Sequence, residues 1–97
     1  MAKCTSLLEV RTEIDKLDLE LVNLISKRTH LIREAASFKN SVEEVKTKDR
    51  IDYILQAVRH RAIELEISPN MISELFEIMI NEMVETEIAE FRNTTTF

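Results

Sequence analysis

Apolar residues recur along the first part of the chain at alternating intervals of three and four positions. Such spacing is typical of the packing seam of a long α-helix. Ser6 followed by Glu9 has the spacing of a capping box, which marks a helix start. The pattern therefore predicts one helix from about residue 6 to about residue 40. The seam comprises Leu7, Val10, Ile14, Leu17, Leu21, Leu24, Leu31, Ala35 and Phe38, and its one slot that is not apolar holds Arg28.

Two shorter helices are predicted to follow. The stretch 40–48 is mostly polar and loses the period, so we expect a loop there. A second helix is predicted over roughly residues 48–66. Ser68 and Pro69 then predict a third helix start, because serine is favoured as N-cap and proline at the first helical position. That helix should run to about Arg92. The sequence thus predicts an all-α fold of three helices, in a single domain covering all 97 residues.

The composition narrows the class of protein. The absence of glycine excludes glycine-rich phosphate loops and dinucleotide-binding fingerprints. A net charge of −5 argues against a nucleic-acid partner. The single cysteine, Cys4, rules out an intrachain disulfide framework. No apolar stretch has the length of a membrane span or forms the core of a signal peptide. We therefore expect a cytoplasmic protein with no membrane partner, and no motif calls for a metal or redox cofactor.

The length of the first helix predicts an oligomer. At 1.5 Å per residue the helix would span roughly 50 Å. A compact domain of this size has a radius of gyration of only about 13 Å. Two shorter helices of the same chain cannot cover an apolar rod of that length. We therefore expect a homodimer, either antiparallel or intertwined.

Two cations, Arg28 and Lys39, lie along the apolar seam, and a third, Arg11, lies on another side of the helix. Arg28 and Lys39 are 11 residues apart, which on a helix gives a shared face and a rise of roughly 16 Å, so both could contact one small anion. Arg11 lies roughly 25 Å before Arg28 and about 100° around the helix, so it could reach only the ligand of a partner subunit. The alternatives are an interface salt bridge for Arg28 and a favourable helix-dipole contact for Lys39.

Glu87 falls inside the apolar stripe of the third helix, between Met83 or Val84 and Phe91. A carboxylate at such a place is costly unless it is paired or protonated. The alternative is a partly exposed glutamate at the rim of the packed face.

Several segments resemble the all-helical chorismate mutase family. They are LLEVRTEID (7–15), LISKRTHLIREAASFK (24–39), KDRIDYIL (48–55) and LFEIMINEMVETE (75–87). Within that family, CTSLLEVR and AASFK are similar to the isochorismate-pyruvate lyases. The resemblance implies an intertwined homodimer of three-helix chains, with two active sites for a small dianionic substrate.

The resemblance also implies roles for individual residues. Arg11 of the partner and Arg28 would bind the substrate carboxylates. Lys39 would hydrogen-bond the ether oxygen and a carboxylate. Arg50 matches an arginine early in the second helix of the family. Glu87 matches a glutamine or glutamate on the other side of the ether oxygen.

Two positions depart from the mutase pattern. Ile51 stands where mutases commonly have a glutamate that holds the ring hydroxyl of chorismate. Met83 stands where many mutases have a small hydroxyl residue. The leading hypothesis is therefore a pericyclic enzyme that converts isochorismate to salicylate and pyruvate, with chorismate mutase activity as a side reaction. The alternatives are a dedicated chorismate mutase of aromatic amino-acid biosynthesis and a catalytically idle helical dimer with an interaction role.

Overall fold

The computed structural model describes residues 3–38 and 47–95. Within these residues it contains three α-helices, which confirms the predicted all-α, three-helix fold. The first helix ends before the predicted boundary near residue 40, the second ends two residues before the predicted 66, and the third continues past Arg92. The helices are α1 Leu7–Ala36, α2 Lys48–Glu64 and α3 Pro69–Thr95.

The start of α1 is fixed by two side chains. The Ser6 hydroxyl accepts a hydrogen bond from the backbone N–H of Glu9 at 3.1 Å, which confirms the predicted N-cap. The Glu9 carboxylate reaches back to Thr5, accepting from its backbone N–H at 2.8 Å and from its hydroxyl at 3.0 Å. The bond from the Thr5 backbone N–H, followed by that from its hydroxyl, lowers the pKa of Glu9.

The end of α1 comes earlier than the apolar spacing predicts. Beyond Ala36 the backbone bonds tighten: the N–H of Ser37 donates to Glu34 O at 3.1 Å, and that of Phe38 to Ala35 O at 3.0 Å. The Ser37 hydroxyl also donates to Glu34 O, at 2.7 Å. Side-chain bonds of this kind compete with helix continuation. Of the predicted loop 40–48, residues 40–46 lie outside the described residues.

The chain forms two compact units, Met1–Leu31 and Ile32–Phe97. The first unit holds most of α1, and there the predicted seam is exposed to solvent. Its seven apolar members up to Leu31 have exposed fractions between 39% and 63%. The predicted single domain and homodimer stay predictions.

In the second unit, α2 packs against α3 around an apolar cluster. The buried members are Ile54, Ile80 and Met83. Burial of such side chains stabilises each by about 1.5–3 kcal/mol relative to exposure. Partly buried apolar residues complete the cluster: Ile32, Ile51, Leu55, Val58, Phe76 and Val84.

The turn between α2 and α3 is a Schellman motif. The N–H of Glu66 donates to Ile63 O at 3.1 Å, and the N–H of Ile67 donates to Ala62 O at 3.0 Å. This motif needs a left-handed residue, usually glycine. Because the chain has no glycine, Glu66 takes the position, with φ of 59°.

The start of α3 agrees with the predicted Ser68 cap. The Ser68 hydroxyl accepts from the N–H of Met71 at 3.1 Å. Arg59 of α2 adds a second restraint, because its guanidinium donates to Pro69 O at 3.2 Å and to Asn70 Oδ1 at 3.1 Å. In the part of the chain that is described, no helix is both long and apolar enough to cross a membrane.

Acidification should fray the start of α1. A carboxyl with a lowered pKa stabilises the folded state above its ordinary value of 4.5, and this contribution is lost as pH falls through the folded pKa. We expect the Thr5 amide to lose protection from hydrogen exchange over that range, and Glu9→Gln to show no such pH dependence. A Glu9 carboxyl that titrates at or above 4.5 in NMR would contradict this account.

Glu66→Gly should stabilise the protein. A residue with a Cβ in the left-handed region costs about 1–2 kcal/mol, and the added freedom of glycine in the unfolded chain offsets about 0.4–1 kcal/mol of the gain. We expect Tm to rise by several degrees, since about 1 kcal/mol shifts Tm by about 4–8 °C for a domain of this size. Glu66→Ala keeps the Cβ and is the matched control at equal protein concentration. Equal Tm values for the two variants would refute the explanation.

Candidate active site

Two of the predicted arginines lie on the first unit's part of α1. Arg11 is exposed and Arg28 is partly buried. Because α1 is continuous between them, the 17 residues of separation give a rise of roughly 25 Å. That distance exceeds the reach of two arginines toward one small molecule. The structure therefore separates these residues within a protomer, as the spacing predicts.

Arg50 and Ile51 are neighbours in the first turn of α2, but one faces solvent and the other packs against the apolar cluster. The preceding residue, Thr47, is extended, and its carbonyl accepts from the N–H of Ile51 at 3.1 Å. Arg50 is exposed, and its guanidinium carbon lies over the ring of Tyr53, 5.5 Å from the centroid. Ile51 is partly buried and packs against the cluster of Ile54. The turn thus presents a cation to solvent beside an apolar side chain.

Glu87 is buried on α3, with only 5% of its surface exposed. The interpretation of a partly exposed rim glutamate is therefore wrong. Met83, one helical turn earlier, is 8% exposed and belongs to the apolar cluster. Removing a carboxyl from water favours its protonated form. A neutral glutamate in this place is a hydrogen-bond donor as well as an acceptor.

Lys39 lies outside the described residues. The shared helical face inferred for Arg28 and Lys39 required an α-helix through residue 39, but α1 ends at Ala36. The helical rise and angle between these two cations therefore do not apply. The role of Lys39 stays a prediction from the family resemblance.

Among the grooves lined by described residues, two lie away from the predicted site residues. One of about 610 Å³ runs along the start of α1, between Cys4 and Leu17. The other, of about 200 Å³, lies at the α2–α3 turn between Val58 and Phe76. Neither is lined by a predicted site residue.

Sequence reasoning passed over Tyr53. The signal was available in its position three residues after Arg50, since side chains at this spacing are neighbours on a helix. A tyrosine is neither a cation nor a carboxylate, the residue types that indicate a site for a dianion.

Residues 10–88 match the model of the family described as chorismate mutase type II, and the chain belongs to that family. The match covers most of α1, all of α2, and α3 through Ile88. The resemblance seen in the sequence is thus confirmed. Members of the family are isomerases that act on chorismate-type substrates.

Curated relatives differ in their named activities. An isochorismate pyruvate lyase of Pseudomonas aeruginosa is 26% identical over 94% of this chain and 90% of its own length. A chorismate mutase of Methanocaldococcus jannaschii is 29% identical over 76% of each chain. A bifunctional chorismate mutase/prephenate dehydratase of Buchnera aphidicola is 27% identical over 90% of this chain and 23% of its own length.

Proposed function

We propose that the protein converts isochorismate to salicylate and pyruvate, with chorismate mutase activity as a side reaction. The observation that carries this proposal is Ile51, which packs against an apolar cluster beside the exposed Arg50. Mutases that the sequence resembles commonly have a glutamate here, which holds the ring hydroxyl of chorismate. An isoleucine offers that hydroxyl no hydrogen bond. The relative named as a lyase, aligned over 94% of this chain, supports the same choice.

A dedicated chorismate mutase is the second candidate. It is favoured by the relative of that name in Methanocaldococcus jannaschii, at 29% identity over 76% of this chain. A catalytically idle helical dimer is the third. The buried carboxyl of Glu87 argues against it, because packing alone is better served by an apolar residue at this place.

The proposed roles follow from the reaction type. Both reactions are pericyclic, so the protein's contribution is to hold the enolpyruvyl side chain over the ring. Arg28 and the partner's Arg11 would bind the carboxylates, and Arg50 would add a third cation to these contacts. Lys39 with protonated Glu87 would donate to the ether oxygen as negative charge develops there. Donors of this kind typically contribute about 3–4 kcal/mol to transition-state stabilisation.

The proposed site is completed by a second copy of the chain. The exposed seam of α1 consists of apolar residues in heptad spacing, which is self-complementary between two helices. Arg28 occupies one slot of that seam, and Arg11 is too far along the helix to serve the same ligand. In an intertwined dimer, Arg11 of one protomer would instead bind the substrate held by Arg28 of its partner.

Incubation with each substrate separately tests the proposed function. We expect salicylate and pyruvate from isochorismate in equal amounts, and slower formation of prephenate from chorismate, with kcat/KM higher for isochorismate. Arg28→Ala protein purified in the same way controls for contaminating enzymes of the expression host. Prephenate formation without salicylate would instead establish the dedicated mutase, and no turnover of either substrate would favour the idle dimer.

Ile51→Glu should shift the specificity ratio toward chorismate. The carboxylate would accept from the hydroxyl of chorismate, whereas against isochorismate it would be buried without this partner. The penalty of roughly 1–3 kcal/mol corresponds to a change of about five- to 150-fold in the ratio of the two kcat/KM values. Because Ile51 packs against the apolar cluster, Tm should also fall.

Ile51→Gln is the matched control for that loss of stability, because glutamine has nearly the shape of glutamate but carries no charge. The ratio is measured on folded protein, at a temperature below both unfolding transitions. A shift toward isochorismate would contradict the role assigned to this position.

The pH profile should depend on Glu87. If its proton is donated to the ether oxygen, activity falls as pH rises through the pKa of Glu87 in the complex. Glu87→Gln keeps a donor and removes the titration, so the basic limb of the profile should flatten. Glu87→Ala should have low activity at every pH, because alanine offers no donor. Identical profiles for the wild type and Glu87→Gln would remove Glu87 from the mechanism.

A further inference from the structure

Arg50 and Tyr53 form a cation–π pair on the surface of α2. The guanidinium carbon lies over the ring, 5.5 Å from its centroid, within the roughly 6 Å over which such pairs attract. Tyr53 is 64% exposed, so the ring is not committed to the apolar core. The pair is therefore an arrangement of two surface side chains, and the core does not require it.

The helix geometry shows from which side the ring contacts the arginine. The direction toward Ile51, Ile54 and Val58 defines the packed face of α2. Arg50 lies about 75° from this direction and Tyr53 about 135° from it. The ring therefore lies on the solvent side of the guanidinium. Contact with it disfavours rotamers that swing Arg50 away from the packed face.

The contact also leaves the hydrogen-bonding capacity of Arg50 available. A ring attracts the cation without accepting from its five N–H donors, which match a carboxylate in a planar fork. Asp49 and Asp52 flank Arg50 in sequence, but residues one and two positions apart do not face each other on a helix. Within residues 3–38 and 47–95, no carboxylate lies within ion-pair distance of Arg50.

We infer that Tyr53 is a positioning residue, which holds the Arg50 guanidinium ready for a carboxylate of the substrate. The inference rests on the proposed function, in which Arg50 binds that carboxylate. A long, exposed arginine loses conformational freedom when it binds an anion, and an arrangement formed beforehand reduces this loss. The ring acts through the arginine, so its contribution is to substrate binding in the ground state and transition state alike.

Tyr53→Leu tests this role through the separation of KM from kcat. The loss of an interaction that stabilises the bound substrate and the transition state equally raises KM and leaves kcat unchanged. We expect KM for isochorismate and for chorismate to rise about two- to fivefold, the range that corresponds to an exposed cation–π pair, with kcat within about twofold of wild type. Tyr53→Phe keeps the ring face and should restore the KM. Ile63→Ala controls for general surface effects, because Ile63 lies on the same helix and is 62% exposed, close to the 64% of Tyr53.

A double-mutant cycle separates positioning from a structural role. In an Arg50→Ala background, Tyr53→Leu should change KM no further, and in the wild-type background it should remove a ring-current shift from the Arg50 Nε–Hε signal. Unchanged KM in Tyr53→Leu, or an equal effect with and without Arg50, overturns the inference while the proposed function stands. Wild-type protein that converts neither substrate overturns both.

Discussion

The apolar seam of α1 is the constraint on which the rest of the account depends. In a single chain its leucines, isoleucine and valine face solvent over nearly the whole first unit. Exposed apolar surface is unfavourable by roughly 25 cal/mol per Å², so a partner for this face is expected. Arg28 stands in the same seam, where burial takes its charge out of water at a cost. In the proposed dimer a substrate carboxylate offsets that cost, so one interface serves both packing and binding.

The cluster between α2 and α3 links substrate choice to stability. Ile51 and Met83 are the two departures from the mutase pattern, and both belong to this cluster. Glu87 is buried one turn beyond Met83. Substitutions here therefore alter the fold and the proposed site together, which explains why each functional variant needs a control of the same shape. Arg50 differs, because it lies outside the cluster and its guanidinium lies over an exposed ring.

Local signals in the sequence were sufficient for the helices and their starts. The hydroxyls of Ser6 and Ser68 act within one turn of backbone, so sequence spacing alone locates both caps. The end of α1 was misjudged because apolar spacing continues to Phe38 while the hydrogen bonds change at Ser37. The burial of Glu87 could not be predicted, since periodicity gives the face of a helix and not the depth at which a residue lies. The roles of Arg11 and Lys39 depended on the family resemblance.

The composite site across two protomers is the central claim, and subunit exchange tests it most directly. Arg11→Ala and Arg28→Ala chains, each inactive alone, are mixed under conditions in which exchange is verified by mass spectrometry. The account predicts recovered activity, since each heterodimer contains one site with both arginines intact and one with neither. If heterodimers form and the mixture stays as inactive as its components, Arg11 does not act across the interface.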